Sequence, residues 1–240
     1  MSVPLIRLEN VSCMYGKISA LKNLNLTIYE GDYIGIIGPN GSGKSTFVKV
    51  ILGLAKLSEG SIYYLDQLNC RKKIKMGYVP QISDVNRYFP ISVLEVVLTG
   101  KMDSSIKPFF KYTSNDYIEA FRMLKMVGLE EQKDRQISEL SGGEFQKMMI
   151  ARSLIMNPDI LLLDEPTAMV DVSSQRQILN LIRKLSKNMT IILVTHQIQD
   201  IIKHVNKLVY LEKNVIAEGN PEEVYKYAYL KPVNHRRKTI

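Results

Sequence analysis

The sequence is short of cysteine, of long apolar runs, of repeats and of low-complexity linkers. Only Cys13 and Cys70 occur in its 240 residues. They form no CxxC pair and have no histidine nearby, so a disulfide scaffold and a thiolate metal site are both excluded, and a reducing compartment fits. The longest apolar stretches, such as Ile160–Leu163 and Ile191–Val194, have the length of a strand. A membrane helix needs about 20 such residues, so the chain is not expected to span a bilayer by itself. The start, MSVPLIRLEN, lacks a basic segment followed by an apolar core, and no secretory leader is expected. With no heptads and no internal repeat, neither a coiled coil nor a solenoid is in view.

What is present is ordinary globular material. Apolar residues make up 45% and charged residues 23%. A chain of this size buries roughly 70% of its unfolded surface and needs no covalent staple. The formal net charge of +8 invites a nucleic-acid reading. However, Arg71, Lys72, Lys73 and Lys75 form one basic cluster, and Lys231, Arg236, Arg237 and Lys238 form another. Together these account for the whole excess. Neither cluster alternates with aromatics as a single-strand binding platform would. They read as a solvated loop and a solvated tail, with an acidic partner or lipid headgroups as the alternative, and no nucleic-acid partner is expected.

The periodicity is that of an α/β protein. Strand patterns at Leu5–Val11 and Leu24–Ile28 precede a short apolar run at Tyr33–Ile37, which suits a buried strand. A helix pattern over Phe47–Leu54 and strands near Ser61–Leu65 and Met76–Val79 follow. From Gln81 to Asn157 the texture turns helical, at Val93–Leu98, Asp116–Val127 and Glu144–Met156. Strand and helix then alternate again: Ile160–Leu163, Ser173–Leu185, Ile191–Val194 and Ile198–His204. A hairpin about Lys213-Asn214 and a last helix opening at Pro221 complete the chain.

Three motifs carry chemistry. Gly38-Pro39-Asn40-Gly41-Ser42-Gly43-Lys44-Ser45 fits G-x-x-x-x-G-K-[ST] between a strand and a helix. The glycines let backbone N–H groups converge on a phosphate, and the helix start adds positive partial charge. Lys44 would reach the β/γ-phosphates and Ser45 would ligate Mg²⁺. Ile160–Leu163 then leads to Asp164, Glu165 and Pro166. Two carboxylates at the C-terminal end of a buried strand stand where ligands bind in parallel sheets. Asp164 would orient Mg²⁺ and Glu165 would polarise the attacking water. Finally, Leu140-Ser141-Gly142-Gly143-Glu144 reads as a helix start with a capping box, Ser141 to Glu144. Its two glycines keep side chains away from the first-turn amides, leaving an open positive end for phosphate.

A phosphate loop, then LSGGE, then LLLDEP, then Thr195-His196, resembles the ATP-binding subunit of an ABC transporter over residues 3–220. The resemblance implies a P-loop NTPase fold with a mainly parallel core sheet and an N-terminal antiparallel β-subdomain. The RecA-like core with that subdomain would occupy about 1–80 and 158–220, and the helical insertion about 81–157. A C-terminal helix and basic tail would take up 221–240. It also assigns roles. Tyr15 would stack on adenine. Thr46, which follows Ser45, joins the residues on the phosphates. Gln81 would contact Mg²⁺ and the attacking water, and His196 would sit beside the γ-phosphate. Ser141, Gly142, Gly143 and Glu144 would act in trans on ATP held by a second copy, with Asp171 in a loop crossing that interface. Three positions depart from the family's commonest residues: Glu144 for Gln, Lys147 for Arg and Gln197 for Asp. None removes a phosphate ligand or the presumed base, so an active ATPase is expected.

The segment Phe89–Leu98 with Gly100, together with Thr167–Asp171, is similar to zinc/manganese-type uptake subunits. The iron-chelate and cobalamin importers are close alternatives, and an iron–sulfur assembly ATPase is a soluble one. DNA-repair members carry long coiled-coil insertions, which this chain lacks. The resemblance implies an ATP-dependent homodimer, a polytopic permease docked through Phe89–Leu98, an indirect solute-binding partner and a place at the cytoplasmic face of the cell membrane. Ile91 and Val93 are the expected docking contacts.

Overall fold

The computed structural model describes residues 3–65, 74–81, 86–102 and 111–230. Cys70 and all the clustered basic residues except Lys75 lie outside them. Two compact units are present, one built from 1–73 and 192–240, the other from 74–191.

In the first unit, β1 (Pro4–Tyr15) pairs antiparallel with β2 (Ile18–Tyr29) and with β4 (Glu59–Tyr64). Alternation buries Ile6, Leu8, Val11 and Cys13 on one strand and Leu24, Leu26 and Ile28 on the other. Both strands run longer than the sequence pattern suggested. Asn10 and Asn23 take left-handed backbones, at φ 51° and 50°, and register shifts between Leu8 and Val11 break the alternation. A second sheet is built on β3 (Tyr33–Ile37), in which all five residues are buried. It pairs parallel with β8 (Lys207–Glu212), which turns at Lys213 into antiparallel β9 (Asn214–Gly219). On the other side of β3 lies β7 (Thr190–Val194), most of whose residues belong to this unit. Helix α1 (Lys44–Ile51) follows β3 through the glycine-rich loop.

The second unit holds a parallel pair, β5 (Met76–Val79) and β6 (Ile160–Asp164), and the α-helices α2 (Val93–Thr99), α3 (Ser114–Val127), α4 (Gly142–Leu154) and α5 (Val172–Leu185). Helix α3 buries Ala120, Met123, Leu124 and Val127, one face at helical spacing, and closes on left-handed Gly128. Helices α2, α3 and α4 each start with a complete capping box, Ser92–Glu95, Thr113–Asp116 and Ser141–Glu144. In the first unit, the helix after His196, α6 (Ile198–Ile201), is shorter than the expected 198–204. Helix α7 (Pro221–Tyr225) is capped by Asn220 and is followed by a π-helical turn, Lys226–Leu230.

Candidate active site

In the first unit the phosphate loop is held open from below. An added Cβ at Gly38 would lie 2.1 Å from the Leu211 carbonyl oxygen, and one at Gly43 would lie 2.5 Å from that of Ala20. Glycine at these two positions is therefore compulsory, and both have positive φ, 157° and 99°. The Lys213 amide donates to the Ser42 carbonyl at 2.7 Å, and Lys22 donates to the Lys213 carbonyl at 2.7 Å, tying the loop to the β8–β9 turn and to β2. No side chain caps α1 at Gly43. Its first-turn amides keep their positive end for an anion. The Lys44 ammonium lies across the loop, donating to the Gly38 and Pro39 carbonyls at 2.8 and 3.1 Å. Ser45 is exposed at the second helical position, and Thr46 is buried. The cradle and its cation fit a polyphosphate.

Two more expected site residues belong to this unit. Tyr15 ends β1 with half its surface exposed, a ring available for stacking. Past the end of β7, the Thr195 amide donates to the Ile36 carbonyl at 3.1 Å, beside the strand that feeds the loop. Thr195 is buried, and its hydroxyl accepts from the Gln197 amide at 3.0 Å. That turn leaves His196 exposed.

In the second unit the parallel register Met76↔Ile160 through Val79↔Leu163 carries Gln81 and the Asp164-Glu165 pair to the same strand ends. Both carboxylates are half-buried, and Glu165 is bent to φ 48°. Within this unit, the amide oxygen of Gln81 and the carboxylate of Asp164 are the oxygen ligands that a hard cation such as Mg²⁺ takes. At the start of α4, the Ser141 hydroxyl accepts from the Glu144 amide at 3.2 Å, while Glu144 Oε2 accepts from the Ser141 amide at 2.9 Å. The backbone and side-chain hydrogen bonds from Ser141 hold the Glu144 carboxyl below its usual range.

The two glycines have an additional use that composition does not reveal. A Cβ on Gly143 would lie 2.5 Å from Ser174 Cβ, so this residue lets α4 pack on α5. Gly142 is looser, at 3.3 Å from the Met169 carbonyl. Asp171 caps α5, its Oδ1 accepting from the Ser173 and Ser174 amides at 3.0 Å each and from the Ser173 hydroxyl at 2.6 Å. Those serine hydrogen bonds drive its carboxyl far below the usual range. Through Ser174, the Asp171 loop and the glycine pair form one packed element.

Arg87 was not singled out by sequence. Its guanidinium donates to the Leu140 carbonyl and sits 4.7 Å over the Phe145 ring, bracing the approach to α4. Gln146 was also missed, since nothing in a helical pattern marks a glutamine as fully buried. The expected docking contact Val93 is corrected: it is completely buried, because the capping box turns it inward. Tyr88 and Phe89, at 88% and 60% exposure, are the apolar side chains that this region presents.

Known proteins resemble this chain along most of its length. The ABC transporter family profile matches residues 21–168. The zinc uptake system ATP-binding protein ZurA of Listeria innocua is 39% identical over 229 residues, 93% of this chain and 88% of that protein. The manganese transport system ATP-binding protein MntB of Bacillus subtilis is 40% identical over 223 residues, 92% and 88% of the two chains. A nucleotide-free ATP-binding cassette from an ABC transporter superposes with TM-score 0.82 at 28% identity, covering 96% of each chain. A dimeric, post-hydrolysis cassette bound to ADP and Pi gives TM-score 0.73 at 32% identity, covering 90% of this chain and 99% of that one. With the phosphate loop, the acidic strand end and the glycine-led helix in place, this chain belongs to the ABC transporter family, as an ATP-binding cassette that hydrolyses ATP.

Proposed function

We propose that the chain energises uptake of zinc or manganese, working as an ATP-closed homodimer on a membrane permease. The observation that carries the metal assignment is the 39–40% identity to zinc and manganese system subunits along about nine-tenths of both partners. No helix among the described residues is long and apolar enough to cross a membrane, so the pathway for the ion belongs to another subunit. Exposed Tyr88 and Phe89 supply the apolar contact for that permease. A solute-binding protein would deliver the ion to it from the far side.

In each ATP site, Tyr15 stacks on the base. Gly38 to Thr46 cradle the phosphates, with Lys44 leaving its carbonyl partners for the β/γ oxygens. Ser45, Gln81 and Asp164 would hold Mg²⁺, which when bound neutralises the charge developing on the transferred phosphoryl group. Glu165 takes the proton of the attacking water, and His196 steadies the γ-phosphate. Ser141 to Glu144 of the second copy cover the same phosphate, and Asp171 links the two sites across the interface. A two-fold axis completes both sites at once, so the assembly closes.

Deleting the gene tests the substrate. Growth should fail in metal-depleted medium and recover with excess zinc or manganese alone. Recovery only with an iron chelate or a cobalamin would contradict the assignment.

A further inference from the structure

Gln146 lies one turn behind Gly142 and Gly143 and is completely inaccessible to solvent. Neither its amide oxygen nor its amide nitrogen has a hydrogen-bond partner among the described residues. Buried side-chain polar atoms are nearly always satisfied, so an amide with both ends unsatisfied is unusual. A core position without another duty would be filled by Met or Leu.

Its height in the fold says what it can reach. At one end of β5, the Lys75 carbonyl accepts from the Asp159 and Ile160 amides, and Gly77 packs on the Ser153 carbonyl. Helix α4 ends at Leu154, and β6, which is parallel to β5, begins shortly after at Ile160, at this same end. Helix α4 therefore runs antiparallel to β5. Gln146 lies about 10 Å back along the helix from Ser153, at ~1.5 Å per residue. Three strand steps of about 3.3 Å cover the same distance from Gly77. That brings Gln146 level with Pro80 and Gln81, where β5 has ended and its ladder to β6 has stopped.

We infer that Gln146 is a positioning residue for Gln81: with MgATP bound, its amide takes a backbone carbonyl of Pro80–Gln81 and the N–H of Gln81. A primary amide carries both donor and acceptor, which matches a stretch of unladdered peptide. The glycine-led helix thereby reports to the residue that faces the attacking water, within one chain. The inference rests on Gln81 belonging to the ATP site.

A double-mutant cycle on the full chain tests it, using Gln146→Met, Gln81→Ala and the pair, with Gln146→Leu as a second shape. Gln146→Met should lower ATP turnover about tenfold, within the coupling seen for residues that share a network. Its affinity for a fluorescent ATP analogue should stay within twofold, because the phosphate loop is untouched. Its melting temperature without nucleotide should be unchanged or higher. In the Gln81→Ala background, Gln146→Met should cost no more than a further twofold. Additive losses would overturn the inference and leave the site assignment standing. So would a fall in nucleotide-free melting temperature in both the Met and the Leu variant, since Gln146 would then be ordinary core. Undiminished turnover in Gln81→Ala would remove Gln81 from the site, and this inference with it.

Discussion

Two helix starts in this chain are proposed to meet phosphate, and they are built in opposite ways. Helix α1 begins on a left-handed glycine with no side-chain cap, and a backbone hydrogen bond ties its loop to the β8–β9 turn. Helix α4 begins with a complete capping box whose carboxylate satisfies its own Ser141 amide. The first is a bare positive end with a lysine laid over it, ready to take an anion alone. The second already carries a negative charge in its first turn, which opposes an incoming phosphate. The contrast fits the proposed division of labour, in which α1 binds nucleotide in the monomer and α4 adds only enough to close a dimer that opens again after hydrolysis.

The largest expected effect attacks the bare end. Lys44→Ala should reduce ATP turnover by at least ~10²-fold, the usual loss when one electrostatic contact to a transition state is removed. Turnover at the parent rate in a coupled assay would show that α1 is not the phosphate site. Next comes the packing under the second end. Gly143→Ala drives a methyl group into Ser174 and should cost about 1–3 kcal/mol in urea unfolding, as overpacking does. Adding Ser174→Gly should recover part of that loss. If it recovers none, the glycine serves the phosphate alone.

The smallest effect concerns charge. Glu144→Gln keeps a capping box, because glutamine can also fill the last position, but removes the negative charge. ATP-driven dimerisation should tighten by a few-fold. The pH dependence has a definite sign. Glu95, Asp116 and Glu144 are all held below their ordinary values, each chiefly by the backbone hydrogen bond from its capping Ser or Thr. Their contribution is complete above the unfolded carboxylate range, near pH ~4–4.5, and is lost as pH falls through the lower folded values. Helix content followed by circular dichroism should show Glu144→Gln giving up less stability than the parent over that acid window.

Much of this was legible in the sequence. Tyr33–Ile37 and Met76–Val79 are strands with the expected bounds, because a buried parallel strand is a short apolar run with hard edges. The Ser141–Glu144 box follows from spacing alone, as does the phosphate loop. The lengths of β1 and β2 do not, since Asn10 and Asn23 break the alternation exactly where a pattern reader would stop. The short α6 was hidden for a related reason: apolar spacing runs on past Ile201, but the backbone turns. Gln146 and Arg87 were invisible because their significance lies in who is absent or present around them, and neither property has a sequence period.

The central claim, that the bare helix start and the capped one meet only across two copies bridged by ATP, is tested most directly by size-exclusion chromatography with light scattering. Glu165→Gln removes the carboxylate proposed to polarise the attacking water and should slow hydrolysis by ~10²–10⁴-fold. This variant should run as a dimer in MgATP and as a monomer in ADP, and adding Ser141→Arg should abolish the dimer while ATP still binds. A dimer that forms without nucleotide, or that survives Ser141→Arg, would contradict the account.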